Sequence, residues 1–355
     1  MDNAVRKLVY VSDEMPGIQR IRRGGGFAYR ACNGSWLRDA QEIQRIHKLA
    51  IPPAYRDVWI CPLPNGHLQA TGRDARGRKQ YRYHPEWRQA RESDKFGRLV
   101  EFGESLPRLR ARVAKDFKDE PALSRNKLLA AMVRLLDTTL LRVGNDEYAR
   151  SNGSYGLTTL RNSHVQLSHG GKLRLKFRGK SGVPHDISVD DPRLARVVRR
   201  CRDLPGQVLF QYVDEAGGLH GIGSADVNSY LADLSSPDFT AKDFRTWHGS
   251  AQALELTCLA CKKDADGFNA KAVLADVAQR LRNTPAVCRK SYLHPAILAL
   301  WDELGSGDPA RVASARRRVM ALLRVPSRAG LKISERRLLR FLQQAPRTNN
   351  TSNKS

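Results

Sequence analysis

Asn283-Thr-Pro-Ala-Val-Cys-Arg-Lys-Ser-Tyr-Leu-His-Pro295 is the stretch on which the reading of this chain turns. Tyr292 closely follows Arg289 and Lys290, and Thr284-Pro285 can open a helix that runs towards it. A phenol is a weak nucleophile at neutral pH because its pKa is near ~10, but fixed positive charge beside it favours the phenolate and attracts a phosphate diester. Tyr292 is therefore the candidate nucleophile. On these residues alone a surface tyrosine in a basic helix is the better account, and basic residues upstream reverse that balance. Pro295 breaks or restarts the helix.

The charge of the whole chain points the same way. Its 355 residues suffice for two or three domains, and 61 Lys+Arg against 36 Asp+Glu leave a net charge of +25, a field that recruits polyanions. Nucleic acid is the expected partner. A membrane is not, because no run approaches the ~20 apolar residues of a span and the charged amino terminus lacks a signal-peptide core. The expected location is the cytoplasm, in association with the nucleoid. Six scattered cysteines make no disulfide framework. Cys258-Leu-Ala-Cys261 has the spacing of half a zinc site but lacks a second pair and lies among Leu254, Leu256 and Leu259, so helix-core cysteines are expected and no metal site.

Moving back from Tyr292, a helix is expected over Ala270 to Leu281 and another over Thr240 to Cys261, where Thr240 and Asp243 have capping-box spacing. Lys242 and Arg245 stand one turn apart on one face of it. Before them His164-Val-Gln-Leu-Ser168, Lys172 to Phe177 and Asp186 to Val189 alternate as three strands, and the turn Arg178-Gly-Lys-Ser-Gly182 carries Lys180 at its tip. Lys127 to Tyr148 reads as a core helix with Arg142 at its polar end and Gly144 as its stop, and Leu106 to Phe117 as an amphipathic helix.

Nearer the amino terminus the signals change to short pieces broken by turn residues. Residues 1–26 read as a flexible basic segment, 27–90 as a small β-rich domain with one helix near Asp39 to Leu49, and 91–104 as a linker. Residues 105–305 read as a mainly helical domain holding the small sheet at 164–189, and 306–355 as a helical or partly disordered basic tail with non-specific DNA affinity. In Gln69 to His84 a turn full of arginines leads into Gln80, Tyr81, Arg82 and Tyr83, with both tyrosines on one side of a strand. Aromatic and amide groups interleaved with guanidinium suit base edges and phosphates together, and charges this close would repel one another without an anion.

Arg142 in Leu-Leu-Arg-Val-Gly-Asn, Lys180 in Lys-Phe-Arg-Gly-Lys-Ser-Gly, Arg245 in Lys-Asp-Phe-Arg-Thr-Trp and Tyr292 in Arg-Lys-Ser-Tyr-Leu-His-Pro resemble, in this order, the active-site motifs of type IB DNA topoisomerases. The likeness is closest to the compact poxvirus-like and bacterial enzymes and covers roughly Gly25 to Leu304. Each motif alone is weak; four in order are specific. The resemblance implies an α+β fold, with a small β-rich amino-terminal domain and a mainly α-helical catalytic domain of the tyrosine recombinase and topoisomerase IB type. It implies Tyr292 as nucleophile, Arg142 and Arg245 as phosphate ligands and Lys180 as general acid. Gln80, Tyr81, Tyr83 and Tyr148 match DNA-contact positions, and Lys242 matches a basic residue beside the phosphate.

Asn283 departs from the pattern. A histidine usually stands there, and an amide can donate a hydrogen bond to a phosphate oxygen but carries no charge or labile proton. The activity implied is relaxation of supercoiled duplex DNA by a monomer with no obligate protein partner, through a 3′-phosphotyrosyl link, without ATP, metal or other cofactor. No phosphate-binding Gly-x-x-x-x-Gly-Lys-Ser/Thr loop is present in the sequence. Two alternatives share some of these features. A tyrosine recombinase would carry His-x-x-Arg where this chain has Lys242-Asp-Phe-Arg245, and a passive basic DNA-binding protein would need four ordered motifs by coincidence.

Overall fold

A computed structural model describes residues 8–75, 77–88, 96–168, 171–235, 239–263 and 268–345. The chain divides into two compact units, residues 1–95 with 150–152 and residues 96–149 with 153–355.

In the first unit, β1 (Ile18–Arg23), β2 (Gly26–Arg30), β3 (Arg56–Ile60), β4 (Leu68–Arg73) and β5 (Lys79–Tyr83) form an antiparallel sheet in the order β2-β1-β3-β4-β5. Helix α1 (Ala40–Lys48) is started by the Asp39 carboxylate, which accepts from the N–H groups of Gln41 and Glu42. Its Ile46 joins Ile18, Tyr29, Val58, Ile60 and Ala70 in a small core.

The flexible segment expected through residue 26 is corrected by β1, which pairs with both β2 and β3. Gly24 and Gly25, at φ 53° and 78°, make the two-residue turn between Arg23 and Gly26. Two successive left-handed residues are what a tight hairpin requires, so this glycine run specifies a turn and not a loose arm. Arg20 is structural as well: it donates to the carbonyls of Ile51, Pro52 and Tyr55 and lies 4.2 Å over the Phe27 ring.

The second unit is mainly helical. Helix α2 (Leu99–Asp119) buries Leu99, Phe102, Leu106, Leu109 and Val113 at helical spacing. The linker expected over 91–104 is therefore shorter, since Phe102 meets Phe239, Phe244 and Trp247 edge-on at 5.1, 5.2 and 6.1 Å and draws the helix start into the core; residues 91–95 lie outside the described residues. Helix α3 (Arg125–Thr139), capped by Ser124, is buried continuously from Leu128 to Val133 and forms the centre of this unit. It is shorter than the pattern to Tyr148 predicts. Leu140, at φ 58°, ends it, and the chain runs through Arg142 without regular structure to a separate short helix, α4 (Asp146–Asn152).

Strands β6 (Val165–Leu167), β7 (Leu173–Arg178) and β8 (Pro184–Val189) pair antiparallel in that order, as the alternation predicts. After them come α5 (Pro192–Arg202), the hairpin of β9 (Gln211–Val213) and β10 (Leu219–Gly221), and α6 (Ser224–Leu234). Then follow α7 (Ala241–Lys263), α8 (Ala270–Leu281), α9 (Pro285–Tyr292), α10 (Pro295–Leu304), α11 (Pro309–Leu322) and α12 (Ile333–Gln344). Cys258 and Cys261 are free thiols buried along α7. No helix among the described residues is long and apolar enough to cross a membrane.

The stretch from 306 onward is not a loose tail. Its helices bury Ala315, Val319, Leu322, Leu338, Leu339 and Leu342 in the main core, and α12 packs on α7 and α2. Among its charged residues Glu335 is fully buried: it accepts from Arg110 of α2 at 2.7 and 2.9 Å, while Arg110 also donates to Asp137 of α3 at 2.9 Å. Apolar spacing within a basic composition decides this packing, and composition alone hides it. Residues 346–355 lie outside the described residues.

Candidate active site

Tyr292 is the last residue of α9. Thr284 caps that helix through the Val287 N–H at 3.3 Å, and His294 caps α10 directly after it, with Pro285 and Pro295 each at the first helical turn. Two proline-led helices back to back thus fix the chain direction on both sides of the tyrosine. Ser250 of α7, itself fully buried, ties this junction down: its hydroxyl donates to the Tyr292 carbonyl at 3.1 Å and accepts from the His294 N–H at 3.0 Å.

Arg245 reaches the same place from α7, whose start is held by the Asp243 carboxylate accepting from the Thr240 N–H and hydroxyl at 2.8 and 2.9 Å. Arg245 is 3% exposed, and its guanidinium sits 4.9 Å from the Tyr292 ring centroid. It donates to the carbonyls of Leu140, at the end of α3, and of Leu281, at the end of α8, the latter at 2.8 Å. Helix ends leave carbonyls without partners, and Arg245 satisfies two of them at once.

Arg142 lies beyond Leu140 in a segment pinned by backbone bonds from Leu157 N to Arg142 O at 2.9 Å and from Thr158 N to Val143 O. Its guanidinium donates to the side-chain oxygen of Asn283. Asn283 follows Arg282, which takes the left-handed conformation that closes α8, and its N–H reaches back to the Ala278 carbonyl at 2.9 Å. The Asn283 amide nitrogen is buried and has no hydrogen-bond partner among the described residues.

The electrostatics follow from that assembly. Burial by itself raises the Tyr292 phenol, but the charge and hydrogen bond of Arg245, then the charges of Arg142 and Lys242, outweigh it, so its pKa lies below that of a free phenol. Arg142 is pushed down by burial and by Arg245, with Tyr292 opposing. Both arginines donate to neutral acceptors, an amide oxygen and two carbonyls. Arg245 is buried and Arg142 partly buried, and cations withdrawn from water with no carboxylate partner among the described residues favour an anionic ligand.

The structure thus joins Arg142, Arg245, Asn283 and Tyr292. Lys242 is exposed on the first turn of α7 and adds its charge to the Tyr292 field. Lys180 stands exposed on the β7–β8 turn, and among the described residues no hydrogen bond joins it to the other four. On the edge strand β5, Tyr81 and Tyr83 are exposed and stacked nearly parallel at 6.1 Å and 12°. Gln80 donates its amide to Asp74 at 3.0 Å. Asp74 also pairs with Arg78, and Asp13 with Lys79, so the repulsion expected in the arginine-rich turn is relieved in part by carboxylates of the protein itself. The side chain of Tyr148 lies outside the described residues.

One set of possible metal ligands is present among the described residues, Asp137, His248 and Glu335, whose ligand atoms lie within 4.8 Å of one another. Arg110 already donates to both carboxylates, and His248 Nε2 lies 2.8 Å from Asp137, so the negative charge a cation needs is compensated. His248 accordingly has a structural partner. Sequence reasoning missed Ser250 and the carbonyls of Leu140 and Leu281; a serine in a buried helix and a backbone carbonyl give no signal of their own.

Comparison with known proteins bears on the whole chain. The family described as eukaryotic DNA topoisomerase I, catalytic core, matches residues 84–300, and bacterial DNA topoisomerase IB, N-terminal domain, matches residues 26–74. DNA topoisomerase 1B of Acanthamoeba polyphaga mimivirus is 33% identical over 298 residues, 81% of this chain and 88% of that protein. DNA topoisomerase 1B of Vaccinia virus (strain Copenhagen) is 25% identical over 257 residues, 69% of this chain and 76% of that protein. DNA topoisomerase 1 of Daucus carota is 26% identical over 175 residues, 48% of this chain and 20% of that protein. An amino-terminal antiparallel sheet, a helical remainder and matches that span both together show that the chain belongs to the type IB DNA topoisomerases, enzymes of the isomerase class acting on DNA.

Proposed function

We propose that this enzyme relaxes positive and negative supercoils as a monomer, by cutting one strand of duplex DNA through a transient 3′-phosphotyrosyl bond to Tyr292, with neither ATP nor an obligatory metal ion. The observation that carries this reading is the cluster at the end of α9, where the Arg245 guanidinium lies 4.9 Å from the Tyr292 ring centroid, Arg142 is joined to Asn283, and neither arginine donates to a carboxylate among the described residues. In the forward step the Tyr292 oxygen bonds to phosphorus as it gives its proton to water, and the bond from phosphorus to the 5′ oxygen breaks. That oxygen is too basic to leave as an alkoxide and takes a proton from Lys180. Arg142, Arg245 and the free Asn283 amide nitrogen hold the two non-bridging oxygens, whose negative charge grows in the transition state. The two arginines supply the positive charge a metal ion would otherwise bring.

Because the phosphotyrosyl link conserves the energy of the broken bond, the 5′ hydroxyl attacks back after the duplex rotates, and every proton and bond returns to its start. Tyr81 and Tyr83 on the exposed edge of the amino-terminal sheet are assigned to groove contact, which positions the duplex and takes no part in the chemistry. The enzyme acts on supercoiled DNA of the nucleoid, in the cytoplasm.

The direct test is relaxation of positively and of negatively supercoiled plasmid in EDTA without nucleotide. Both signs are expected to relax to completion. An absolute requirement for Mg²⁺ or ATP, or relaxation of one sign only, would overturn the reading.

A further inference from the structure

The β7–β8 hairpin that carries Lys180 also carries a buried histidine for which the reaction above has no use. His185 is 5% exposed and stacks on Phe177, its partner across the hairpin, at 4.7 Å and 14°. Neither of its ring nitrogens has a hydrogen-bond partner among the described residues. A phenyl ring would fill the same space and leave no polar atom unsatisfied, so the two nitrogens need a purpose.

The position of the ring suggests one. A Cβ placed on Gly179 would come within 2.4 Å of His185 Nε2 and 2.6 Å of Cδ2, so the imidazole edge occupies the space a side chain would take at that position. Gly179 directly precedes Lys180, and it closes the turn on both sides: its N–H donates to the Val183 carbonyl at 2.8 Å, and its carbonyl accepts from the Gly182 N–H at 3.0 Å. The ring therefore sets where the chain leaves β7 to present the lysine. Burial, and then the charges of Arg282, Arg142 and Arg245, push His185 down to about 4. At neutral pH the ring is uncharged, holds one donor and one acceptor nitrogen, and adds no further positive charge beside the phosphate-binding arginines.

We infer that His185 is a positioning residue for Lys180, seating the turn through Gly179 and offering an uncharged acceptor nitrogen to the Lys180 loop as the lysine turns in towards the leaving 5′ oxygen. The inference rests on the assignment of Lys180 as the general acid made above.

The test is single-turnover cleavage of matched duplexes with oxygen or sulfur at the bridging 5′ position, because sulfur leaves without a proton. His185→Phe keeps the ring and its stack and removes both nitrogens. On the oxygen substrate it is expected to cleave about 10–100-fold more slowly, the scale of a misplaced catalytic group. On the sulfur substrate it is expected to return to within a few-fold of wild type, as is also expected of Lys180→Ala if Lys180 is the acid. Gly179→Ala, which displaces the ring, should behave likewise, and His185→Gln should recover part of the oxygen rate. The double variant Lys180→Ala/His185→Phe should be no slower than Lys180→Ala alone. Equal loss on both substrates by His185→Phe and Gly179→Ala, with Lys180→Ala still recovering on sulfur, would overturn the inference and leave Lys180 as the acid. If Lys180→Ala itself fails to recover on sulfur, both assignments fall.

Discussion

Tyr292→Phe is expected to abolish strand cleavage while leaving salt-sensitive DNA binding unchanged. The substitution removes one oxygen and keeps the ring over which the Arg245 guanidinium sits at 4.9 Å, so packing and the cation–π contact survive. Ser250 holds this position through the Tyr292 carbonyl, a backbone atom that the substitution does not touch. What disappears is the atom proposed to bond to phosphorus. Loss of a covalent nucleophile costs on the order of 10⁶-fold, which in a gel assay of protein–DNA adduct means no product. Binding should keep its steep decline with salt, because that slope reports phosphate contacts by Lys and Arg. Adduct formation or plasmid relaxation by the variant would place the nucleophile elsewhere.

The second large effect is expected far from Tyr292 in sequence. Glu335→Ala should destabilise the protein by about 3–5 kcal/mol, the range for removing one partner of a buried ion pair. Glu335 is fully buried, takes two hydrogen bonds from Arg110, and also caps its own helix by accepting from the Lys332 N–H at 2.7 Å. Its removal leaves Arg110 with Asp137 and the Gly330 carbonyl as partners and frees the end of α12. The urea midpoint of the variant should fall, with the salt dependence of DNA binding unaltered. An unchanged midpoint would restore the reading of this region as a DNA-binding tail that contributes nothing to the core.

The same cluster sets the acid sensitivity of the fold. Burial raises Asp137, but the hydrogen bonds and charges of His248 and Arg110 more than reverse this and hold its carboxyl below the usual range. Glu335 is likewise raised by burial and lowered further by Arg110, the Lys332 N–H and His248. Both folded values lie below the unfolded ones, so the stability they contribute is fully present above the ordinary carboxylate pKa of about 4 and is lost as pH falls through the folded values. Urea midpoints of the wild type should therefore hold steady above pH ~5 and drop below pH ~4. The drop should be shallower in Glu335→Ala, which has lost one of the two carboxylates.

The sequence by itself determined the family, the fold class and much of the local structure. The placements of Tyr292 between two prolines, of Lys180 on a turn between alternating strands and of Arg245 one turn from Lys242 were legible because local spacing alone puts them on helix or hairpin. The exposed pair Tyr81 and Tyr83 was legible for the same reason, since strand alternation alone puts them on one side. The tertiary structure decided how those groups are held. Arg245 is fixed by the carbonyls of Leu140 and Leu281, and carbonyls occur at every residue, so no sequence pattern marks the two that matter. Arg20 and Glu335 belong to stretches whose basic composition suggested an arm and a tail, yet each is fixed by partners distant in the chain, the carbonyls of residues 51–55 and the Arg110 guanidinium. Local propensity reports the conformation a segment prefers; whether a charged segment is solvated or built into the core depends on long-range partners that only the folded chain brings within hydrogen-bond distance.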